Sequence, residues 1–168
     1  SVGGKTAVDL PEGKNLVGTF TQPYLVLCDI TTLDTLPKEV FEEGMAEVIK
    51  YGMIRSKELL ELLLTEDAER KRERVIARCV RLKRDVVAED EQDFGERQIL
   101  NFGHTLGHAI EREMNYKLFH GDCVAIGMAI MTRALVRDGR CPESCEKILE
   151  KLLKKYKLPN STELPSER

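Results

Sequence analysis

All three histidines of the chain, His104, His108 and His120, fall within 17 residues. Imidazole is both a metal ligand and a proton carrier near neutral pH, so its clustering points to metal or acid–base chemistry. At helical spacing, Arg97, Asn101, His104, His108 and Glu111 share an arc of about 80°, with Ile99, Phe102, Leu106 and Ile110 opposite. Gly103 and Gly107 flank the polar arc. Each costs a helix about 1 kcal/mol relative to alanine, which predicts a close approach by a backbone or a ligand. His120 stands beside Gly121, where a new helix starts and the chain can turn back. Glu47 sits in Gly44-Met45-Ala46-Glu47-Val48-Ile49-Lys50, and a carboxylate among small and apolar neighbours needs a partner or a metal. Three ligands of nitrogen and oxygen type with an open position make a catalytic zinc site. Spacing alone favours His104 and His108 as the metal pair, by analogy with HExxH helices, although that motif's glutamate is absent. A solvated or hydrogen-bonded helix face is the competing expectation.

A second set of residues is cationic. Lys5, Lys14, Lys50, Lys83 and Arg97 lie among glycines or on the inner faces of expected helices. Gly3-Gly4-Lys5-Thr6 resembles the end of a phosphate loop, whose glycines let backbone N–H groups approach an anion. Lys83 sits in a charge-rich stretch, and periodicity does not mark it out.

These residues need elements to position them. Tyr24 to Ile30 reads as a short buried strand, preceded by a glycine-rich loop from Ser1 to Gln22. From Pro37 onward the pattern is helical: Lys38 to about Leu64, weakened at Gly44 and Gly52, then Asp67 to about Ala88. Arg97 to Met114, Asp122 to Arg137 and Pro142 to Tyr156 complete the set. The expected fold is mostly α, a multihelical domain attached to the edge of an α/β domain. A lone strand cannot stand as a sheet, so its partners are expected outside these residues.

Composition narrows the function classes. A net charge of −3 provides no broad basic surface for nucleic acid, and no apolar run approaches the roughly 20 residues that span a bilayer. The five cysteines are scattered and form no CxxC pair, which reads as free thiols in a reducing cytoplasm; Cys141 and Cys145 form only a weak CxxxC. Ser1-Val2-Gly3-Gly4 reads as the inside of a longer protein.

Four segments together resemble one family. GGKTAVDLPEGKNLVGTF from Gly3, GMAEVIKYG from Gly44, LNFGHTLGHAIE from Leu100 and HGDCVAIGM from His120 are similar to successive signatures of the 3-dehydroquinate synthases and the wider sugar-phosphate cyclases. The resemblance runs to about Leu158. It implies a remnant of an NAD-binding α/β domain over residues 1–36 and a helical zinc- and substrate-binding domain over 37–168. It implies Glu47, His104 and His120 as ligands of Zn2+ or Co2+, replacing the His104–His108 pair that spacing favours. By the same resemblance Lys5, Asn15, Lys83, Arg97, Asn101 and His108 hold a sugar-acid phosphate. Lys50, Asp93 and His108 are catalytic, and Lys14, Leu33, Asp34 and Thr35 touch NAD.

The implied reaction converts 3-deoxy-D-arabino-heptulosonate 7-phosphate to 3-dehydroquinate and phosphate. Its steps are NAD-assisted oxidation, phosphate elimination, reduction and aldol closure, in a cytoplasmic homodimer. Asp93 stands where the family has a glutamate as proton acceptor, and Glu96 where a leucine is common. The family's dinucleotide loop lies before Ser1, so turnover is not expected of this chain alone. Competing expectations are a sibling cyclase of the 2-deoxy-scyllo-inosose or valiolone type, an iron-dependent alcohol dehydrogenase, and a non-catalytic helical binding module with structural histidines.

Overall fold

The computed structural model describes residues 2–163, apart from the side chains of Asp9, Lys14 and Asn15. Two strands, β1 (Lys5–Leu10) and β2 (Gly13–Phe20), precede six α-helices. These are α1 (Lys38–Arg55), α2 (Lys57–Thr65), α3 (Arg72–Glu89), α4 (His104–Glu113), α5 (His120–Arg137) and α6 (Glu143–Lys155). Short 3-10 turns cover Ile30–Thr35 and Glu96–Asn101. The fold is mostly α, as the periodicity predicts.

Helix α5 is the centre of the packing. Its run from Cys123 to Ala129 is buried without interruption, which marks a helix enclosed on all sides. Around it lie α4, α1 and α6. The outer helices are amphipathic and bury only a stripe: Leu59, Leu62 and Leu63 of α2, and Leu149, Leu152 and Leu153 of α6, at i, i+3, i+4 spacing. Ser56 divides α1 from α2. Its hydroxyl accepts from the Leu59 N–H at 3.1 Å, so one buried residue ends the first helix and caps the second. The Lys155 ammonium donates to the carbonyls of Leu63 and Glu66 at 2.6 and 2.7 Å, closing the end of α2 with a cation.

Three expectations are corrected. The segment from Tyr24 to Ile30 is not a strand: Tyr24, Leu25 and Leu27 are exposed, and no described strand lies beside it to complete a ladder. The glycine-rich start is not a loop but an antiparallel hairpin, pairing Lys5 with Phe20 and Leu10 with Gly13 across a two-residue turn. Its sequence signal is Pro11-Glu12-Gly13 between stretches containing Thr6, Val8, Val17 and Thr19. The stretch from Arg97 to Met114 is not one helix, because Gly103 adopts φ +79 and separates the 3-10 turn from α4. The shared helical arc from Arg97 to Glu111 therefore does not exist as drawn.

The α4–α5 crossing depends on the absence of side chains. A Cβ on Gly127 would stand 2.1 Å from the Gly103 carbonyl oxygen, a backbone atom that cannot swing away. Gly127→Ala is expected to cost about 1–3 kcal/mol through overpacking. Thermal unfolding followed by circular dichroism should show the melting temperature falling by several degrees.

Candidate metal and anion site

Helix α1 supplies two acidic residues one turn apart, and both face α5. Glu43 Oε2 accepts from the Gly121 N–H at 2.8 Å, satisfying a free donor at the start of α5. That cap holds the beginning of α5, and with it His120, against α1. Glu47 lies one turn further on. Its Oε1 is 3.0 Å from His104 Nε2 and 3.9 Å from His120 Nε2. The ligand atoms of Glu47, His104 and His120 all lie within 4.8 Å of one another.

The hydrogen bonding around this trio favours a cation. His104 Nδ1 is 3.3 Å from the Phe102 carbonyl oxygen and Nε2 is 3.0 Å from Glu47 Oε1, and both oxygens only accept. A neutral imidazole has one proton and can donate to only one of them. A positive charge, either a second proton on the ring or a metal ion at Nε2, satisfies both. The ligand types and their closeness fit a divalent ion with an open position.

Charge around Glu47 is tightly arranged. Lys50 is 4% exposed and pairs with Glu47 Oε2 at 2.5 Å. Burial raises the Glu47 carboxyl, but the His104 hydrogen bond and the Lys50 charge outweigh it and hold the group at about 2. The same negative charge acts on its neighbours. Burial and then Glu47 push the Cys79 thiol up to about 12 and the Tyr51 hydroxyl above its ordinary value, keeping both neutral.

Beyond the trio opens a cavity of about 580 Å³. Glu47, His104 and His120 line one part of it, with Tyr51, Leu100 and Asn101. Lys5, Lys50, Lys83 and Arg97 contribute four cations against the two carboxylates of Glu47 and Asp93. Burial lowers the Lys83 ammonium below its ordinary value, and the charges of Lys50, Arg97 and Lys5 add to that against the raising effect of Glu47. An anionic ligand would relieve this repulsion.

Arg97 is a tie as well as a charge. It is 3% exposed, and its guanidinium donates to the carbonyls of Glu91 at 2.7 Å and Gly3 at 2.9 Å. The foot of the hairpin is thereby fixed to the loop after α3. Asp90 shapes that loop by accepting from the N–H groups of Phe94, Gly95 and Arg97, with Gly95 the shortest at 2.7 Å. Within it Asp93 adopts φ 65; one carboxylate oxygen pairs with Lys5, and Oδ1 is buried with no hydrogen-bond partner. Buried orphan oxygens are uncommon and concentrate where function demands them.

The other residues singled out above lie outside this cavity or outside the described side chains. His108 is outside the cavity lining, with its ring centroid 5.7 Å from that of His104 and 5.5 Å from that of His120. Leu33 and Asp34 line a separate cavity with Phe41 and Tyr156, and Asp34 pairs with Arg72. Thr35 donates its hydroxyl to the Thr32 carbonyl at 3.3 Å. The side chains of Lys14 and Asn15 lie outside the described residues. Glu43, Tyr51 and Asp90 carry no signal in the sequence pattern that marks their roles here. The one-turn spacing of Glu43 and Glu47 was readable, but a cap supplied from another helix has no sequence pattern.

The 3-dehydroquinate synthase C-terminal family profile matches residues 44–168, and the N-terminal family profile matches residues 1–43. The chain belongs to the 3-dehydroquinate synthase family. A 3-dehydroquinate synthase of Clostridium perfringens (strain 13 / Type A) is 50% identical over 163 residues, covering 94% of this chain and 47% of the relative. One from Clostridium acetobutylicum is 49% identical over 174 residues, covering 100% of this chain and 49% of the relative. The chain thus spans about half the length of the curated relatives it matches.

Solved structures of sibling cyclases share the fold. A 2-epi-5-epi-valiolone synthase from Streptomyces hygroscopicus subsp. jinggangensis 5008, with NAD+ and Zn2+ bound, superposes with a TM-score of 0.83 at 25% identity. It covers 96% of this chain and 47% of that one. A 2-deoxy-scyllo-inosose synthase complexed with carbaglucose-6-phosphate, NAD+ and Co2+ gives 0.78 at 28% identity, with coverage of 98% and 46%.

Lysine cannot reproduce the two-pronged contact of Arg97. Arg97→Lys is expected to strand one of the two carbonyls and cost about 1–3 kcal/mol, read as a lower urea midpoint.

Proposed function

We propose that this chain is the metal- and substrate-binding half of a 3-dehydroquinate synthase. The whole protein would convert 3-deoxy-D-arabino-heptulosonate 7-phosphate to 3-dehydroquinate and phosphate. The observation that carries the reading is the junction of two sites in one cavity: a Glu–His–His trio beside a wall of four cations. A substrate bearing both a carboxylate and a phosphate needs such a wall. Bound there, Zn2+ or Co2+ would supply Lewis-acid polarisation of substrate oxygens, and NAD a reversible hydride acceptor.

The chain's own residues have separable tasks in this reading. Glu47, His104 and His120 hold the metal. Lys5, Lys83 and Arg97 orient the two anionic groups, which would convert binding energy into placement of the reacting carbons. Substrate binding would draw Lys5 away from Asp93, freeing that carboxylate to accept a proton. Asn101 and Asn15 meet hydroxyls, and His108, beside the trio, carries protons near neutral pH. Lys50 balances the Glu47 charge and faces the reaction. Lys14, Leu33, Asp34 and Thr35 contact NAD in this reading. Residues 1–36 belong to that domain and residues 37–168 to the helical one.

Two observations bear on setting. Among the described residues no helix is long and apolar enough to cross a membrane, and the five cysteines are free. In this reading the whole protein is a cytoplasmic enzyme that acts as a homodimer on a small molecule.

Sibling cyclases are the second reading, favoured by the structural neighbours but at 25–28% identity, against 49–50% for the two 3-dehydroquinate synthases above. The test uses the full-length protein with NAD and follows phosphate release. Rapid release from 3-deoxy-D-arabino-heptulosonate 7-phosphate, abolished by a chelator and restored by Zn2+ or Co2+, is expected. His104→Ala should lower bound metal and activity together. Phosphate release only from the sibling enzymes' sugar phosphates would transfer the assignment to them.

A further inference from the structure

Glu111 has no task in the scheme above, yet it is the carboxylate most deeply enclosed near the histidines. It lies on α4 and is 3% exposed, where an ionised carboxylate is costly unless its oxygens are engaged. Both are. Oε2 is 2.8 Å from His108 Nδ1, and Oε1 is 3.3 Å from His120 Nδ1. The two rings stack across it, with centroids 5.5 Å apart and planes inclined at 28°.

An ionised carboxylate only accepts, so it favours a proton on each facing Nδ1. A neutral imidazole so held has its lone pair on Nε2. For His120 that nitrogen is the one facing Glu47 Oε1 at 3.9 Å. From this geometry we infer that Glu111 is a positioning residue of the metal site, one buried carboxylate setting the tautomer and orientation of His120 as ligand and of His108 as proton carrier. The inference rests on the metal-site reading and deepens it. His104 receives the equivalent hold from the Phe102 carbonyl, so all three imidazoles have Nδ1 engaged by an acceptor.

A rival arrangement uses the same atoms. His108, Glu111 and His120 also lie close enough together to hold an ion of their own. A neutral imidazole has only one lone pair, so His120 cannot ligate in both groups without losing its last N–H proton. The Glu47 group, half-buried and lining the cavity, is the one placed to meet a ligand.

Metal affinity separates these cases, measured on the purified full-length protein by competition with a chromogenic chelator for Zn2+. Wild type is expected to bind one ion per chain. Glu111→Ala should weaken binding by roughly 10–100-fold, the usual effect of removing a carboxylate behind a ligating histidine. Glu111→Gln keeps one oxygen acceptor for His120 and should retain most of the affinity. Its amide N–H2 would then face His108, moving that ring's proton to Nε2. Nitrogen-15 NMR of histidine-labelled protein reads this change even if the alanine variant fails to fold. A folded Glu111→Ala protein with wild-type affinity, unchanged tautomers in Glu111→Gln, or two ions per wild-type chain would each overturn the inference. Absence of any bound ion in wild type would instead bring down the metal-site reading itself.

Discussion

A half-buried carboxylate between packed helices must be compensated, and Glu47 is compensated from three directions. Lys50 approaches from its own helix, His104 from the start of α4 and His120 from the start of α5. Each of those helix starts is separately secured. Gly103 turns the chain into α4, and the Glu43 carboxylate caps α5. The three groups therefore meet because three backbone segments are held, not because any side chain reaches far. Local charge follows the same arrangement, since Cys79 and Tyr51 stay neutral beside Glu47 and leave it the negative centre.

Close helix packing is the structural condition for that meeting. Glycine at 127 allows α5 to lie directly on the backbone at Gly103, and a single added methyl group would strike a carbonyl. Glycines weaken helices by about 1 kcal/mol each relative to alanine, so this crossing trades helix stability for proximity. The buried, nearly continuous apolar face of α5 supplies the compensating packing.

The hairpin is attached differently. It has no core of its own, and Val8, Leu16, Val17 and Phe20 are exposed. Its foot is joined to the loop after α3 by the Arg97–Gly3 hydrogen bond, the Lys5–Asp93 pair and the Gln22–Glu91 hydrogen bond at 3.0 Å. Lys5 and Asp93 also line the cavity, so the contacts that hold the hairpin include groups assigned to an anionic ligand. In the proposed reading, binding and hairpin placement are coupled through these shared atoms.

Much was determined by the sequence itself. Helical periodicity from Lys38 onward reflects burial of one stripe in the outer helices, and α1, α2, α3, α5 and α6 lie close to where the sequence pattern puts them. The clustered histidines and the isolated Glu47 carboxylate marked the chemistry, because scarce ligands and charges in apolar settings carry a cost that demands a reason. What a one-dimensional pattern could not decide was which of these groups meet. Spacing preferred His104 with His108, whereas the fold brings His104 to His120 and Glu47, since a left-handed glycine breaks the presumed helix and a carboxylate on α1 caps α5. Lys83 looked like one surface charge among many until α3 was packed against α1. The strand expected at Tyr24 to Ile30 failed for the converse reason: a strand is completed by hydrogen bonds to neighbours, and its own residues cannot provide them.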